Sequence, residues 1–385
     1  MGKLPRYQDT GAGSFFGDFI YDQIIPRDHF LVALHELFDW EAQSERLIHL
    51  YKGCGLVGRP PYPPVLLFKM LFLSYLFNVS ERQIAEMAQY HLVVKWFLGL
   101  AVTAPAPDHS SLTKFKARLL AHAQGKALEE LFDDLLRQAQ ARGVQLGELQ
   151  VVDSVHTQAK VNALKERERQ GQGKPPRDPD AGVVRKGKRT VVDAEGQPKE
   201  EEISYRGFKS HVAVDAATGL VTTVIPTHGQ VADNRAFRQV RAHDRELGIQ
   251  PRAYTGDAAY DDTDIREQLA VEGISSHMRQ KACRTRKKDA NKQVWLLQQA
   301  DPQYQQDIRQ RFRVEQPFGE AKEWHGLERC RYLGLARYAI QARMTFLVLN
   351  CKRIVKLLTG ITFRPLAKGP RGEPWAPVYA SLPWA

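Results

Sequence analysis

The sequence predicts a mixed α/β fold preceded by a small all-helical module, and three observations predict it. Apolar residues between Pro64 and Leu120 recur at helical spacing. Past Gly143 the apolar runs become short and are separated by turn residues, and in that second half strand-like runs alternate with helical ones. The chain has 385 residues, 43% hydrophobic and 26% charged, a globular composition that excludes a wholly disordered chain. Its length leaves room for one domain of ordinary size and one or two smaller modules.

In chain order, Arg27 to Tyr51 is helix-forming and the Gly and Pro cluster Gly53 to Pro64 reads as a linker. Three short helices follow: one through Val65, Leu66, Lys69 and Leu73, one begun by Ser80 with Gln83 as its capping-box partner, and one capped by Ser110 or Ser111. Such a trihelical unit either inserts a helix into a DNA groove or serves as scaffold alone. Leu149 to Asp153 is a compact strand that ends in a carboxylate. His211 to Val214 and Leu220 to Ile225 flank the turn Ala217-Thr218-Gly219 as a hairpin. Asp233 to Leu247 reads as a helix, Arg252 to Gly256 as a strand that delivers Asp257, Asp261 to Leu269 as a helix and Gly273 to Met278 as a strand. The division expected is an N-terminal helical arm and linker over 1–60, a helical module over 61–145, an α/β domain over 146–358 and a tail over 359–385. Two stretches interrupt the α/β pattern. Residues 165–204, rich in Gly, Pro, Lys and Arg over their first two thirds, are expected to be a mobile insertion, and residues 279–303 a basic loop.

The formal net charge of +11 creates a field that draws polyanions, with nucleic acid the commonest partner and an anionic membrane the rival. The longest apolar stretch, Val65 to Phe77, is interrupted by Lys69 and is too short to span a bilayer, so no membrane is expected. The first residues lack the pattern of a signal peptide, which points to the cytoplasm. Cys54, Cys283, Cys330 and Cys351 form no CxxC pair and read as reduced structural thiols.

Asp153 and Asp257 stand at two strand ends, and neighbouring strands less than ~5 Å apart let carboxylates from distant positions converge. Arg311, Glu315 and Lys322 are four and seven residues apart, which brings them to one helix face; the same spacing also suits a plain surface ion pair. Three carboxylates suit hard divalent ions such as Mg²⁺, and a pair of such ions meets the needs of phosphodiester cleavage without a covalent intermediate. The stretch Arg279 to Lys292, with Arg284, Arg286, Lys287 and Lys288 at its centre, reads either as a solvated loop or as an arm that tracks phosphates. His156, His211 and Lys209 lie near the acids and read as structural partners of carboxylates.

These motifs resemble those of the bacterial insertion-sequence DDE transposases. VVDSVHTQAKVN around Asp153, YTGDAAYD around Asp257 and RFRVEQPFGEAK around Glu315 are similar to the family's three acid motifs. Arg311, Glu315 and Lys322 fall in register with a Tyr-x2-Arg-x3-Glu-x6-Lys signature. The resemblance extends to HGLERCRYLGLARY, LVLNCKRI, YDQIIPRDHFLVAL and GRPPYPPVLLFKMLFLSYLFNVSERQIAEM, and so covers most of the chain. Ile308 stands where the signature has its tyrosine, and Pro317 either kinks the helix or marks a new first turn. The resemblance implies a ribonuclease-H-like mixed sheet flanked by helices. It implies Asp153, Asp257 and Glu315 as ligands of two Mg²⁺ ions, with Mn²⁺ as substitute, and Arg311 and Lys322 on transposon-end DNA. The implied reaction is hydrolysis of a strand at the element's end, followed by attack of the freed 3′-hydroxyl on target DNA. The helical module and the basic loop would grip the terminal inverted repeats. The implied partners are double-stranded DNA, as ends and as target, and a second copy of the chain, because synapsis of two ends calls for two active sites; the implied place is the nucleoid. A DNA-binding regulator without catalysis and a nuclease that cuts but never joins are the alternatives.

Overall fold

The computed structural model describes residues 7–11, 15–51, 58–122, 126–192, 197–280 and 289–363. The N-terminal part is helical throughout: α1 (Phe15–Ile24), α2 (Phe30–Leu37), α3 (Trp40–Leu47), α4 (Pro64–Leu76), α5 (Glu81–Tyr90), α6 (Leu92–Phe97), α7 (His109–Ala121) and α8 (Lys126–Ala141). Helix α4 opens with Pro64 in its first turn, where the fixed φ of proline suits a helix, and is followed by Asn78 at φ 53°. Its residues are buried almost all round, as in the central helix of a core. Helix α5 begins with the expected capping box: the Ser80 hydroxyl accepts from Gln83 N at 3.2 Å and Gln83 Oε1 accepts from Ser80 N at 2.9 Å. Two expectations need correction. The cap of α7 is Asp108, whose carboxylate accepts from Ser111 N at 3.0 Å, and neither Ser110 nor Ser111 takes that place. The helical region also holds α6 and α8 besides the three expected helices.

The second part is built on the strands β1 (Leu149–Gln158), β2 (Gly182–Val192), β3 (Pro198–Asp215), β4 (Val221–His228), β5 (Ala253–Gly256) and β6 (Ser275–Met278). Among the described residues they form one sheet. Its central order is β4-β3-β1-β5-β6, with β1 antiparallel to β3, β3 antiparallel to β4, and β1, β5 and β6 mutually parallel. A three-stranded antiparallel half joined through the first strand to a parallel half is the ribonuclease-H-like arrangement. The β3–β4 hairpin turns at Gly219 (φ 71°), as the sequence predicts. Strand β1 runs five residues beyond the expected end at Asp153, because Ser154 to Gln158 stay paired with β3.

The expected insertion over 165–204 contains regular structure: α9 (Ala163–Gly171), then β2, which pairs with the first half of β3. Its composition lacks a core of its own, but an antiparallel ladder laid on an existing strand needs none. Between them the Asp178 and Asp180 carboxylates accept from Gly334 N at 3.1 Å and Leu335 N at 2.9 Å.

Helices α10 (Asp233–Glu246) and α11 (Thr263–Val271) connect the parallel strands on one face of the sheet. Then come α12 (Asp289–Ala300), α13 (Pro302–Arg309), α14 (Glu315–His325) and α15 (Leu335–Thr359). Helix α15 is the spine of the molecule. It packs on β3 and β4 on one side and on α2, α4, α7 and α8 on the other. Tyr338 stacks on Phe208 at 4.7 Å between ring centroids and bonds Thr157 and Ser210 through its hydroxyl, while the Asn350 amide exchanges hydrogen bonds of 2.7 and 2.9 Å with the Val221 backbone. One hydrophobic core therefore runs from Phe30 in α2 to Val355 in α15. Cys330 and Cys351 are buried thiols, with the first pushed up to about 11 by burial; Cys54 and Cys283 lie outside the described residues. Among the described residues no single helix is long and apolar enough to cross a membrane.

Candidate active site

The parallel pairing of β1 with β5 ends at Val152 opposite Gly256, so Asp153 and Asp257 are the next residues on two adjacent strands. Close approach requires the glycine: a Cβ at Gly256 would lie 2.9 Å from the Val152 carbonyl oxygen. Beyond this point the chain of β5 turns away as a short 3₁₀ helix, Ala258–Tyr260, capped by Asp257 Oδ1 through Ala259 N at 2.8 Å. The flank of β1 is thereby opened at Asp153. Alternation along β1 places Asp153 with Val151 and Val155, the residues that pack toward α14 and α15, whereas Val152 packs on the α10 side.

The carboxyl of half-buried Asp153 is pushed up to about 6, first by burial and then by the charges of Asp257 and Asp233, against the Ser154 N–H and the Arg311 guanidinium. Its Oδ1 accepts from Ser154 N at 2.7 Å. An oxygen-rich, negatively charged corner that resists ionisation is one that a hard cation stabilises.

The segment that carries Glu315 is fixed from both sides. On α13, Asp307 is 1% exposed and accepts a two-pronged bond from Arg252 at 2.6 and 2.8 Å, together with His277 Nδ1 at 2.7 Å. These pairs hold its carboxyl below the usual range, although burial alone would raise it. Tyr304 on the same helix donates to the Met278 carbonyl at 3.2 Å. After α13 the 3₁₀ turn Gln310–Val314 packs against β1, β3 and β5 and carries Arg311 past Asp153. Helix α14 starts at Glu315, so Pro317 lies in its first turn, where proline is tolerated. Arg311 is thus in the preceding turn and not on one α-helix with Glu315 and Lys322, as the spacing predicts. Glu315 is exposed, and Lys322 lies two turns further along α14 on the same face, about 10 Å away. The far end of α14 is locked by buried His325, whose Nδ1 lies 2.9 Å from the Tyr75 carbonyl of α4, and by the Glu320–Lys352 pair with α15.

The structure therefore brings together Asp153, Asp257 and Arg311, with Glu315 four residues after Arg311 at the head of α14. Among the described residues no three metal-donor side chains close into a ready-made cage. Mg²⁺ needs none, since it keeps waters and takes one or two carboxylates beside substrate phosphate oxygens. The two aspartates fit it. Arg284, Arg286, Lys287 and Lys288 lie outside the described residues.

Sequence reasoning missed Asp233 as part of this corner. At the head of α10, its Oδ1 lies 3.1 Å from Lys209 Nζ and 3.3 Å from His211 Nδ1, both on β3. Those partners hold its carboxyl well below the usual range although burial opposes them. The signal available was Lys209 and His211, two positions apart on β3, one hairpin before the first acid of a helix.

Two family models match the chain. One described as Transposase domain (DUF772) covers residues 19–118, and one described as Transposase DDE domain covers residues 171–351, which takes in Asp257 and Glu315 and begins after Asp153. Among solved structures, the cryo-EM structure of the piggyBac transposase synaptic complex with hairpin DNA is similar at 10% identity and a TM-score of 0.42, over 86% of this chain and 75% of that one. The Mos1 transposase paired-end complex with left transposon end is similar at 11% identity and a TM-score of 0.19, over 71% and 82%. TM-scores this low leave the fold assignment resting on the strand order itself.

Proposed function

Because the chain belongs to the DDE transposases, an enzyme family whose membership implies use of a divalent metal, we propose that Asp153, Asp257 and Glu315 are its three acids. In this reading Asp153 and Asp257 hold two divalent ions, Mg²⁺ or in its place Mn²⁺, with Glu315 completing the set. Bound there, the ions would supply Lewis acidity at the attacking and leaving oxygens of phosphodiester cleavage. The chain's own residues supply placement. Arg311, beside Asp153, orients the scissile phosphate, and Lys322 holds a neighbouring phosphate of the transposon end. Packing of α13 and of the turn Gln310–Val314 on the sheet fixes the chain that leads from Arg311 into Glu315 relative to the two aspartates.

The substrates are the double-stranded ends of an insertion sequence, gripped at their inverted repeats by the helical module 61–145, and a target duplex that the freed 3′-hydroxyl attacks. The basic stretch 279–303, expected as a loop but helical over Asp289–Ala300, shares in that grip, and two copies of the chain act together on two ends. DNA as substrate places the protein in the cytoplasm at the nucleoid. The observation that supports the reading most is the juxtaposition of Asp153 and Asp257 where the parallel β1–β5 pairing ends. The test is Asp257→Asn with end-bearing DNA and Mg²⁺: cleavage and joining fall to background while DNA binding persists. Strand transfer retained by that variant would remove Asp257 from the site.

A further inference from the structure

Away from the acids, an open groove of about 760 Å³ runs between α7, the outer end of β1 and the segment that leads into α15. Lys116, Lys160, Arg177, Arg331 and Arg337 line it, and no acidic side chain does. The groove is assembled from remote parts of the chain, and hydrogen bonds fix its walls. Arg331 donates to Asn78 Oδ1 at 2.7 Å and lies over the Tyr75 ring at 4.5 Å; Lys116 pairs with Glu81 and lies 4.4 Å from the centroid of Tyr332. Lys160 donates to the Arg331 carbonyl at 2.9 Å. The Asp178 and Asp180 carboxylates bind the backbone at Gly334 and Leu335, which sets the 177–180 strap beside the start of α15. Arg331 and Lys116 are thus committed to holding the walls, and Lys160 joins them through one backbone hydrogen bond. Lys160, Arg177 and Arg337 are exposed, and among the described residues none of the three forms an ion pair.

From this we infer that the groove is a second DNA-binding site, which holds the phosphate backbone of the duplex at a distance from the cleaved bond through Lys160, Arg177 and Arg337. The inference rests on the transposase reading and extends it to a surface away from the three acids. Like charges gathered in one concave wall without acids repel one another, and a polyanion relieves that repulsion. Lys160 is seven residues beyond Asp153 and two past the end of β1, so the groove stands apart from that acid by at most ~23 Å of extended chain. Lysine and arginine are the side chains that reach phosphate and fix register on a duplex without reading its sequence.

The test is fluorescence anisotropy of the full-length protein on a duplex carrying the element's end, across a NaCl series. The triple variant Lys160→Gln, Arg177→Gln, Arg337→Gln is expected to bind at least about tenfold more weakly near 100 mM salt, with the slope of log K against log salt shallower by up to about 3. The double variant Arg177→Gln, Arg337→Gln leaves the Lys160 to Arg331 hydrogen bond in place and is expected to lose up to about 2 of that slope. A wild-type slope and affinity in both variants would overturn the groove and leave the transposase reading standing. If wild-type protein bound no end-bearing DNA at all, both would fall.

Discussion

At the scale of single residues, the candidate site is a balance of charge. Asp153 is hard to ionise because it is buried beside Asp257 and Asp233, whereas Asp233 is easily ionised because Lys209 and His211 face it. Asp233 is therefore a holding group: it fixes Lys209 on β3 and adds to the negative corner that a cation would neutralise. Its replacement by Asn leaves half-buried Lys209 and buried His211 without their counter-charge, at a cost of about 1–3 kcal/mol, read by urea unfolding. Lys209→Met added to that variant should recover part of the loss, since the pair is coupled. Additive losses would contradict the ion pair. The sequence marks Lys209 and His211 as partners of carboxylates but not the acid they face, because Asp233 is more than twenty residues from Lys209 and only the β3–β4 hairpin returns the chain to it. Asp153 and Asp257 were legible, since each follows a short run of strand-forming residues. The continuation of β1 past Asp153 was not: Ser154 and His156 look like a strand end, and it is pairing with β3 that carries the strand on.

At the scale of elements, local chemistry predicts starts and stops better than surroundings. The capping box at Ser80 and the turn at Gly219 are written in adjacent residues and appear as expected. The order of β1 and β3 to β6 with α10 and α11 is likewise written in the alternation of apolar runs. The hairpin half formed by β2 was hidden, because its pairing depends on an existing strand rather than on apolar residues of its own. Helix α4 supplies a sharper case. Lys69 breaks its apolar run in sequence, yet in the fold it is 4% exposed, with Nζ 3.0 Å from the Phe97 carbonyl and 3.3 Å from His35 Nδ1. Burial lowers the amine to about 7. The unfolded chain keeps its proton up to the ordinary lysine value near ~10.4, so the unfolded state binds more protons between about 7 and 10 and stability rises with pH in that window. Thermal melts at pH 7 and pH 9 should separate for wild type and converge for Lys69→Met, which removes the buried amine. An equal separation in the variant would assign the effect elsewhere.

At the scale of the whole molecule, the helical N-terminal part and the sheet share one core through α15, and α14 is held between α15 and the turn Gln310–Val314 that packs on the strands. The sequence placed a boundary near residue 145 because the texture changes there. A change of periodicity marks a change of element type and says nothing of which elements share a core, and α15 comes too late in the chain for pattern alone to link it to α2 and α4. Phe346, fully buried in α15, is expected to cost about 3–5 kcal/mol on replacement by Ala, and the loss should appear as one earlier transition rather than as two. Separate transitions for the helical part and the sheet would contradict a shared core. This common frame gives the acids a fixed platform. The most direct measurement is gel-resolved cleavage and joining of labelled duplex that carries the element's own ends, with Mg²⁺ or Mn²⁺, comparing wild type with Asp153→Ala. The account predicts metal-dependent nicking at the end followed by joined product, both absent in the variant. Binding without any cut by wild type under either metal, or equal products from Asp153→Ala, would contradict it.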